Sequence, residues 1–322
     1  MTPKERFIAA LEGGAPAGRV PHFELVFYLT MEAFGRVHPS HRVFGQWDQM
    51  SPAERALHRR DIAEVYVAVA ERFEQSAIYF LAPGGWGEDR LDERIATLEI
   101  IREIAPRETC LLLPGDPTYS IPNGEDMVEF SAWMAEKPGE VKDLAQRRAD
   151  AALARAAVYA DSGVVDGFCM CADYCFNDNP FFSPAMFDDF VFPYLASTIA
   201  GYRELGLYAI KHTDGNIMPI LDRLVDARPH ALHSLDPQGG VDIAEVKRRV
   251  GERVCLIGNV SCALLDTGTD AECVESARYA LRSGMPGGGY VFATSNCIYT
   301  GMDLARYELI LDVWRREGNY PD

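Results

Sequence analysis

The chain has 322 residues, of which 48% are hydrophobic and 25% are charged, as is typical of a globular protein with a sizeable core. Its formal net charge of −17 disfavours nucleic acids and anionic membrane surfaces as partners. The sequence has neither a membrane-span-like apolar run nor a signal peptide's apolar stretch, and its 8 cysteines are too sparse for a disulfide scaffold. We therefore expect a cytoplasmic protein with reduced thiols.

Eight short apolar runs, each bounded by turn-forming residues, are predicted to be strands. They are rich in β-branched and aromatic residues, which is typical of buried parallel strands. In chain order, the runs cover residues 20–27, 77–81, 109–113, 165–171, 207–212, 231–235, 253–257 and 290–293.

Helical patterns lie between most of these runs, and several begin with a capping signal. Ser51 is a predicted N-cap followed by Pro52 at the first helical position, and Ser183 and Pro184 repeat this signal. The predicted helices cover residues 51–73, 185–205, 216–227, 242–250, 270–283 and 303–317.

This alternation predicts an α/β fold, a single (β/α)8 TIM barrel that occupies residues 1–322 as one domain. The insertion from the first strand to about residue 72 is predicted to be helical and to lie over one end of the barrel. A doubly wound open sheet is the alternative, but no early strand is followed by a Gly-rich phosphate-binding turn.

Polar side chains follow nearly every predicted strand at its carboxyl end, where barrel enzymes carry their active sites. Polar residues are common at barrel rims in any case, so the set as a whole is more informative than any one member. In chain order the candidates are Glu24, Asp116, Asp173, His212, Asp214, Asp236, Asn259, Asn296 and Cys297.

The sharpest local motif surrounds His212 and Asp214 at the end of the fifth predicted strand. Period-two alternation places both side chains on one side, Gly215 permits a tight turn, and Asn216 is a candidate helix cap. This pair suits a metal ion or acid–base chemistry. The alternative is that Asp214 belongs to the turn and that His212 is a hydrogen-bonded core histidine.

Cys297 follows the eighth predicted strand, and a closed barrel would bring it to the same mouth. A thiolate there is a candidate third metal ligand beside His212 and Asp214, with a position left open for substrate. The alternative is that Cys297 is a small core residue. The cysteines of residues 169–175 lack the spacing of a structural zinc site, and in that stretch Asp173 is the candidate substrate-binding carboxylate.

These residues carry a resemblance to the uroporphyrinogen decarboxylase superfamily over nearly the whole chain. That superfamily contains the haem-pathway decarboxylase and zinc-dependent methyltransferases that work with corrinoid proteins. The resemblance implies a barrel with its site at the carboxyl ends of the strands. The matching blocks are residues 2–7 (TPKERF), 19–21 (RVP), Asp173 with 182–187 (FSPAMF), 212–216 (HTDGN), 258–260 (GNV), 289–290 (GY), Asn296 and 317–320 (EGNY).

The resemblance favours the methyltransferase branch. The decarboxylases carry an Arg-rich segment after the opening motif, whereas residues 20–27 here contain no arginine. The methyltransferases show H-x-C and a later cysteine as zinc ligands. His212 and Cys297 match two of these, but Asp214 replaces the first cysteine, which makes the site harder and less suited to activating a thiol. Glu24 is a candidate fourth ligand; its alternative is a solvated or arginine-paired carboxylate.

The leading hypothesis is a zinc-dependent methyltransferase that moves a methyl group between a corrinoid protein and a small molecule, with a corrinoid or tetrahydrofolate as methyl carrier. His212, Asp214 and Asp173 are the predicted catalytic residues; His212, Asp214 and Cys297 are the predicted zinc ligands. The predicted substrate-binding residues are Glu24, Asp116, Asp236, Asn259 and Asn296.

Two other hypotheses remain open at this point. One is a metal-independent decarboxylase, a lyase acting on a carboxylated substrate, of which a tetrapyrrole-like compound is one option, with Asp173 or Asp214 stabilising a protonated intermediate. The other is a non-catalytic binding protein that retains the barrel. A homodimer is the expected assembly.

Overall fold

The computed structural model describes residues 1–320, in which seven parallel strands form one sheet ordered as in the chain. Each strand pairs with the next, so the helices between them are crossover connections on the outer face. The strands are β1 Ala77–Tyr79, β2 Cys110–Pro114, β3 Gly167–Met170, β4 Tyr208–His212, β5 Ala231–His233, β6 Cys255–Val260 and β7 Tyr290–Thr294.

The helices of the described residues alternate with these strands from β1 onward, as the sequence predicts. In chain order they are α1 Pro3–Leu11, α2 Thr30–Phe34, α3 Pro52–Arg72, α4 Leu91–Ile104, α5 Met127–Glu136, α6 Pro138–Ser162, α7 Pro184–Phe190, α8 Phe192–Glu204, α9 Leu221–Asp226, α10 Ile243–Val250, α11 Cys262–Thr267, α12 Asp270–Gly284 and α13 Leu304–Glu317. Within residues 1–320, none of them has both the length and the apolar character needed to cross a membrane.

The predicted first strand, residues 20–27, does not form a regular strand. It makes isolated parallel bridges from His22 to Phe292 in β7 and from Phe27 to Ile298, which follows β7. Pro21 has no amide hydrogen, and the amide of Thr294 binds the Glu24 side chain at 3.2 Å rather than a backbone carbonyl. The parallel α/β fold is therefore confirmed as a curled, TIM-like sheet of seven regular strands, whereas a closed barrel of eight regular strands is not confirmed.

The segment 20–27 nevertheless contacts both outer strands of the curled sheet. The Phe23 amide donates a hydrogen bond to the Phe292 carbonyl at 3.0 Å in β7, and the Ser76 amide donates to the His22 carbonyl at 2.7 Å beside β1. The backbone of this segment thus supplies hydrogen-bond partners for backbone groups at both edges of the sheet, beside β1 and in β7, where regular strand pairing ends.

The core has two parts, one on each face of the curled sheet. Leu112 and Ile210 belong to the inner part, which α1 covers at the amino-terminal end through Phe7. Leu111 and Leu113 belong to the outer part, against the helices. This arrangement follows from period-two alternation in strands that are buried on both faces.

Three details differ from the sequence prediction. Helix α3, the longest helix of the insertion, packs beside α4 and β1 in the outer layer rather than over one end of the sheet. The predicted helix 185–205 is divided into α7 and α8 at Val191, close to Pro193, which cannot donate a helical hydrogen bond. The predicted helix 216–227 begins as a 3-10 turn before α9.

Candidate active site

Three polar side chains meet beyond the carboxyl ends of β3 and β4. The Nε2 atom of His212 lies 3.9 Å from Oδ1 of Asp173 and 3.7 Å from Oδ1 of Asp214. Among residues 1–320, these three form a group whose possible metal-binding atoms all lie within 4.8 Å of one another. His212 is buried, whereas both carboxylates are partly exposed. The group is therefore open to solvent on the side of its carboxylates.

His212 is oriented by a second histidine on the neighbouring strand. His212 and His233 are paired in the parallel register of β4 and β5, and their Nδ1 atoms lie 2.7 Å apart. Burial lowers the pKa of His212 to about 4, against the opposing effect of Asp173, and it lowers the pKa of His233 well below its usual value. Both rings are therefore neutral at pH 7, and only one of the two Nδ1 atoms carries a hydrogen.

Asp214 is fixed by two neighbouring side chains. The Ser234 hydroxyl donates to Oδ1 at 2.6 Å, and the Asn296 amide donates to Oδ2. Burial, with the nearby charges of Asp173 and Asp236, raises the pKa of Asp214 to about 7. Ser234 has a left-handed backbone (φ 89°), an unfavourable conformation for a serine that brings its hydroxyl to this carboxylate.

Cys297 and Glu24 lie outside this three-residue group. Burial is the largest effect that raises the pKa of Cys297, so its sulfur is a neutral thiol at pH 7 in the absence of a metal. Both Glu24 oxygens lie close to Thr294, and Oε2 accepts from its hydroxyl at 2.5 Å. Glu24 is thus part of the contact between the segment 20–27 and β7.

Asp116 belongs to a separate buried ion pair. Its Oδ2 lies 2.7 Å from the Nζ atom of Lys211, which is fully buried, and Oδ1 accepts from Thr118. Burial alone would raise the pKa of Asp116, but the Lys211 charge and these hydrogen bonds outweigh it and lower the pKa. Lys211 alternates with His212 along β4 and so faces the opposite side of the sheet.

Asp236 and Asn259 fix the backbone around the group. Asp236 accepts from the amides of Gln238 at 3.0 Å and Gly215 at 3.3 Å, which holds the turn after β4. The Asn259 side chain donates to the Leu235 carbonyl at 3.0 Å, just after β5. Their assignment to substrate binding stays a prediction, as does that of the other candidate residues.

The sequence reasoning overlooked His233, Ser234 and Lys211 as site or supporting residues. His233 had a usable signal, because both predicted strands carry a histidine and neighbouring parallel strands are in register at their carboxyl ends. Ser234 had none, since its contact with Asp214 depends on the left-handed turn after β5.

The group Asp173, His212 and Asp214 fits a zinc ion. Tetrahedral zinc with bonds near 2.1 Å places neighbouring ligand atoms about 3.4 Å apart. The separations of 3.7 and 3.9 Å from His212 Nε2 are close to that value, and all three ligand atoms lie within 4.8 Å of one another. The neutral imidazole is the metal-binding form, and one nitrogen remains available while the other meets His233.

Comparison with known proteins identifies the family. The sequence profile of uroporphyrinogen decarboxylase (URO-D) matches residues 118–316, which include the whole candidate metal group. No curated protein is a significant match. The chain belongs to the uroporphyrinogen decarboxylase family.

Solved structures agree with the fold. A methyltransferase from Methanosarcina mazei superposes with a TM-score of 0.71 at 20% identity, covering 98% of this chain and 99% of that one. A protein described as a fructose-1,6-biphosphate aldolase from Coccidioides immitis gives a TM-score of 0.41 at 13% identity, covering 97% and 89%. The first likeness supports the fold over the full length, and the second is too weak to carry an argument.

Proposed function

We propose that this protein is a zinc-dependent methyltransferase that moves a methyl group between a corrinoid protein and a small molecule. The observation that carries the proposal is the group Asp173, His212 and Asp214, with close ligand atoms at the carboxyl ends of neighbouring strands in a URO-D family chain. The similar fold of a methyltransferase from Methanosarcina mazei supports this branch of the family.

In this proposal, His212 and Asp214 bind zinc, and Asp173 supplies the third ligand. Cys297 was the third ligand expected from the sequence, but its sulfur is not part of the close group. Bound zinc would act as a Lewis acid toward the substrate. His233 holds the His212 ring through the Nδ1 contact, while Ser234 and Asn296 hold the Asp214 carboxylate.

Zinc binding tests the first part of the proposal. The full chain is loaded with zinc, freed of excess metal and analysed by plasma mass spectrometry, and its affinity is measured by competition with a chromophoric chelator. We expect about one zinc per chain, lost in His212→Ala and in Asp214→Ala. His58→Ala, which removes a histidine of α3, is the matched control and should keep the metal.

Variants at Asp173 and Cys297 decide the third ligand. Loss of zinc in Asp173→Ala with retention in Cys297→Ala supports the group described here. The opposite result would restore Cys297 as the ligand and overturn the assignment of Asp173. Circular dichroism of each variant establishes that it is folded.

Methyl transfer tests the second part. Methylcobalamin is offered with a panel of small thiols or with tetrahydrofolate, and methyl transfer is followed by the corrinoid absorbance. We expect turnover with the zinc-loaded protein and none with His212→Ala. A protein that binds no zinc, transfers no methyl group, and releases carbon dioxide from a carboxylated substrate in chelator would be the metal-independent lyase.

A further inference from the structure

A cavity of about 350 Å³ lies at the amino-terminal end of the sheet, opposite the candidate active site. Three arginines line it: Arg6 on α1, Arg19 before the segment 20–27, and Arg107 before β2. Arg6 and Arg19 belong to the two opening sequence motifs, which the proposed function does not use.

Among the described residues that line this cavity, positive charge exceeds negative charge. Among the described residues that line it, Glu74 is the carboxylate, and Glu74 is shared between Arg19 at 3.0 Å and Arg315 at 2.8 Å. Within residues 1–320, Arg6 and Arg107 make no ion pair of 4 Å or less. The surplus of positive charge is a local property of the cavity, since the chain as a whole has a net charge of −17.

Donor groups are also buried without acceptors at this cavity. The Nε atoms of Arg6 and Arg19 have no hydrogen-bond partner among residues 1–320. Burial, followed by the charges of Arg19 and Arg107, lowers the pKa of Arg6, so these cations are held together at an electrostatic cost. Arg19 is also fixed in place, since its guanidinium lies 4.7 Å from the centre of the Trp314 ring.

We propose that this cavity binds a small multivalent oxyanion, a phosphate ester or a polycarboxylate, through Arg6, Arg19 and Arg107. Guanidinium groups match the paired oxygens of phosphate and carboxylate with two parallel hydrogen bonds. The volume exceeds that of a single phosphate and falls in the range of small-molecule sites. The proposal does not depend on zinc or on methyl transfer.

Calorimetric titration of the full chain tests this site. The probes are pyrophosphate and citrate, each at an ionic strength held constant with sodium chloride. We expect one of them to bind with a stoichiometry of one, and the preferred probe distinguishes phosphoryl from carboxylate chemistry. Arg6→Gln and Arg107→Gln should each weaken binding about tenfold, equivalent to ~1.4 kcal/mol.

The matched control is Arg147→Gln, which removes the same charge from an exposed position on α6. It should bind the probe as the parent does. Failure of the parent to bind either probe overturns the proposal, and so does equal binding by all three variants.

Thermal unfolding distinguishes an arginine that binds the anion from one that only supports the fold. The preferred anion should raise the Tm of the parent and of Arg147→Gln, but not that of Arg6→Gln. Without anion, Arg6→Gln should be at least as stable as the parent, because it relieves repulsion. If Arg6→Gln fails to fold, the exposed Arg107→Gln variant decides the question through its affinity.

Discussion

At the scale of single residues, Lys211 and Asp116 form a buried ion pair that is separate from the candidate active site. Lys211 is fully buried, and its ammonium group contacts Asp116 and the carbonyls of Met170 and Ala172. Its Nζ atom also lies 4.2 Å from the centre of the Tyr174 ring. The pair connects the loops after β2 and β3 to β4, so its role is to hold the strand that carries His212.

Replacement of Lys211 should therefore destabilise the fold strongly. Lys211→Met leaves the Asp116 carboxylate buried without its cation, and we expect a loss of about 3–5 kcal/mol in the free energy of unfolding. Urea denaturation followed by circular dichroism measures it. The double variant Lys211→Met with Asp116→Asn should recover part of the loss, and a single variant as stable as the parent would contradict the assignment.

The residue scale also shows how much of the site the sequence could predict. The alternation continued past the end of β4 predicts that His212 and Asp214 lie together, and the two side chains are 3.7 Å apart although Asp214 already belongs to the turn. The same alternation marks Lys211 as a residue of the opposite face. Asp116 as its partner could not be predicted, since the contact depends on how the loop after β2 returns toward β4.

At the scale of elements, the turn after β4 requires a glycine at position 215. Gly215 has a left-handed backbone (φ 76°), and a Cβ atom there would lie 2.5 Å from the Cys175 carbonyl oxygen and 2.6 Å from that of Phe176. Both the backbone conformation and the close approach of a neighbouring loop exclude a larger residue. This turn also positions Asp214, the residue directly before Gly215.

A pair of glycine variants separates these two effects. Gly206 has nearly the same backbone (φ 75°), but open space surrounds its missing Cβ. Gly206→Ala should cost about 1–2 kcal/mol from the left-handed conformation alone. Gly215→Ala should cost clearly more and weaken zinc binding, and equal effects of the two substitutions on urea denaturation would refute the steric argument.

The sequence predicts some elements better than others. It predicts strands β1 to β7 because each is a short apolar run between turns, buried on both faces. Segment 20–27 has the same composition, but its pairing with two distant edges and the side-chain bond of Glu24 interrupt the regular ladder. Composition therefore located the segment without revealing that it is irregular.

At the scale of the whole molecule, the buried His38 and the half-buried His230 make stability depend on pH. Burial is the main cause that lowers the pKa of His38 to about 3 and that of His230 to about 4. Their unfolded pKa is near 6.5, so below that pH the unfolded chain binds protons that the folded chain does not. Asp214 acts in the opposite direction, because its folded pKa of about 7 exceeds the unfolded value of 3.8.

We expect the free energy of unfolding to fall as the pH decreases from about 6.5 to 4, since the histidines outnumber Asp214. Each such histidine contributes a slope of about 1.4 kcal/mol per pH unit. Urea denaturation in chelator at several pH values measures the trend, and His38→Gln should make it shallower by roughly one such slope. Stability that rises on acidification over this range would show that the folded protein does not keep these histidines neutral.

The contacts of segment 20–27 with β7 also set an order of events during synthesis. Glu24 and Thr294 are separated by 270 positions in the chain. At roughly 5–20 residues per second, the ribosome needs on the order of 15–55 s to make the intervening polypeptide. Through that interval the segment can make its contact beside β1 but not its contacts with β7, and that edge of the growing sheet stays uncovered, so the nascent chain relies on its last strand to become resistant to aggregation.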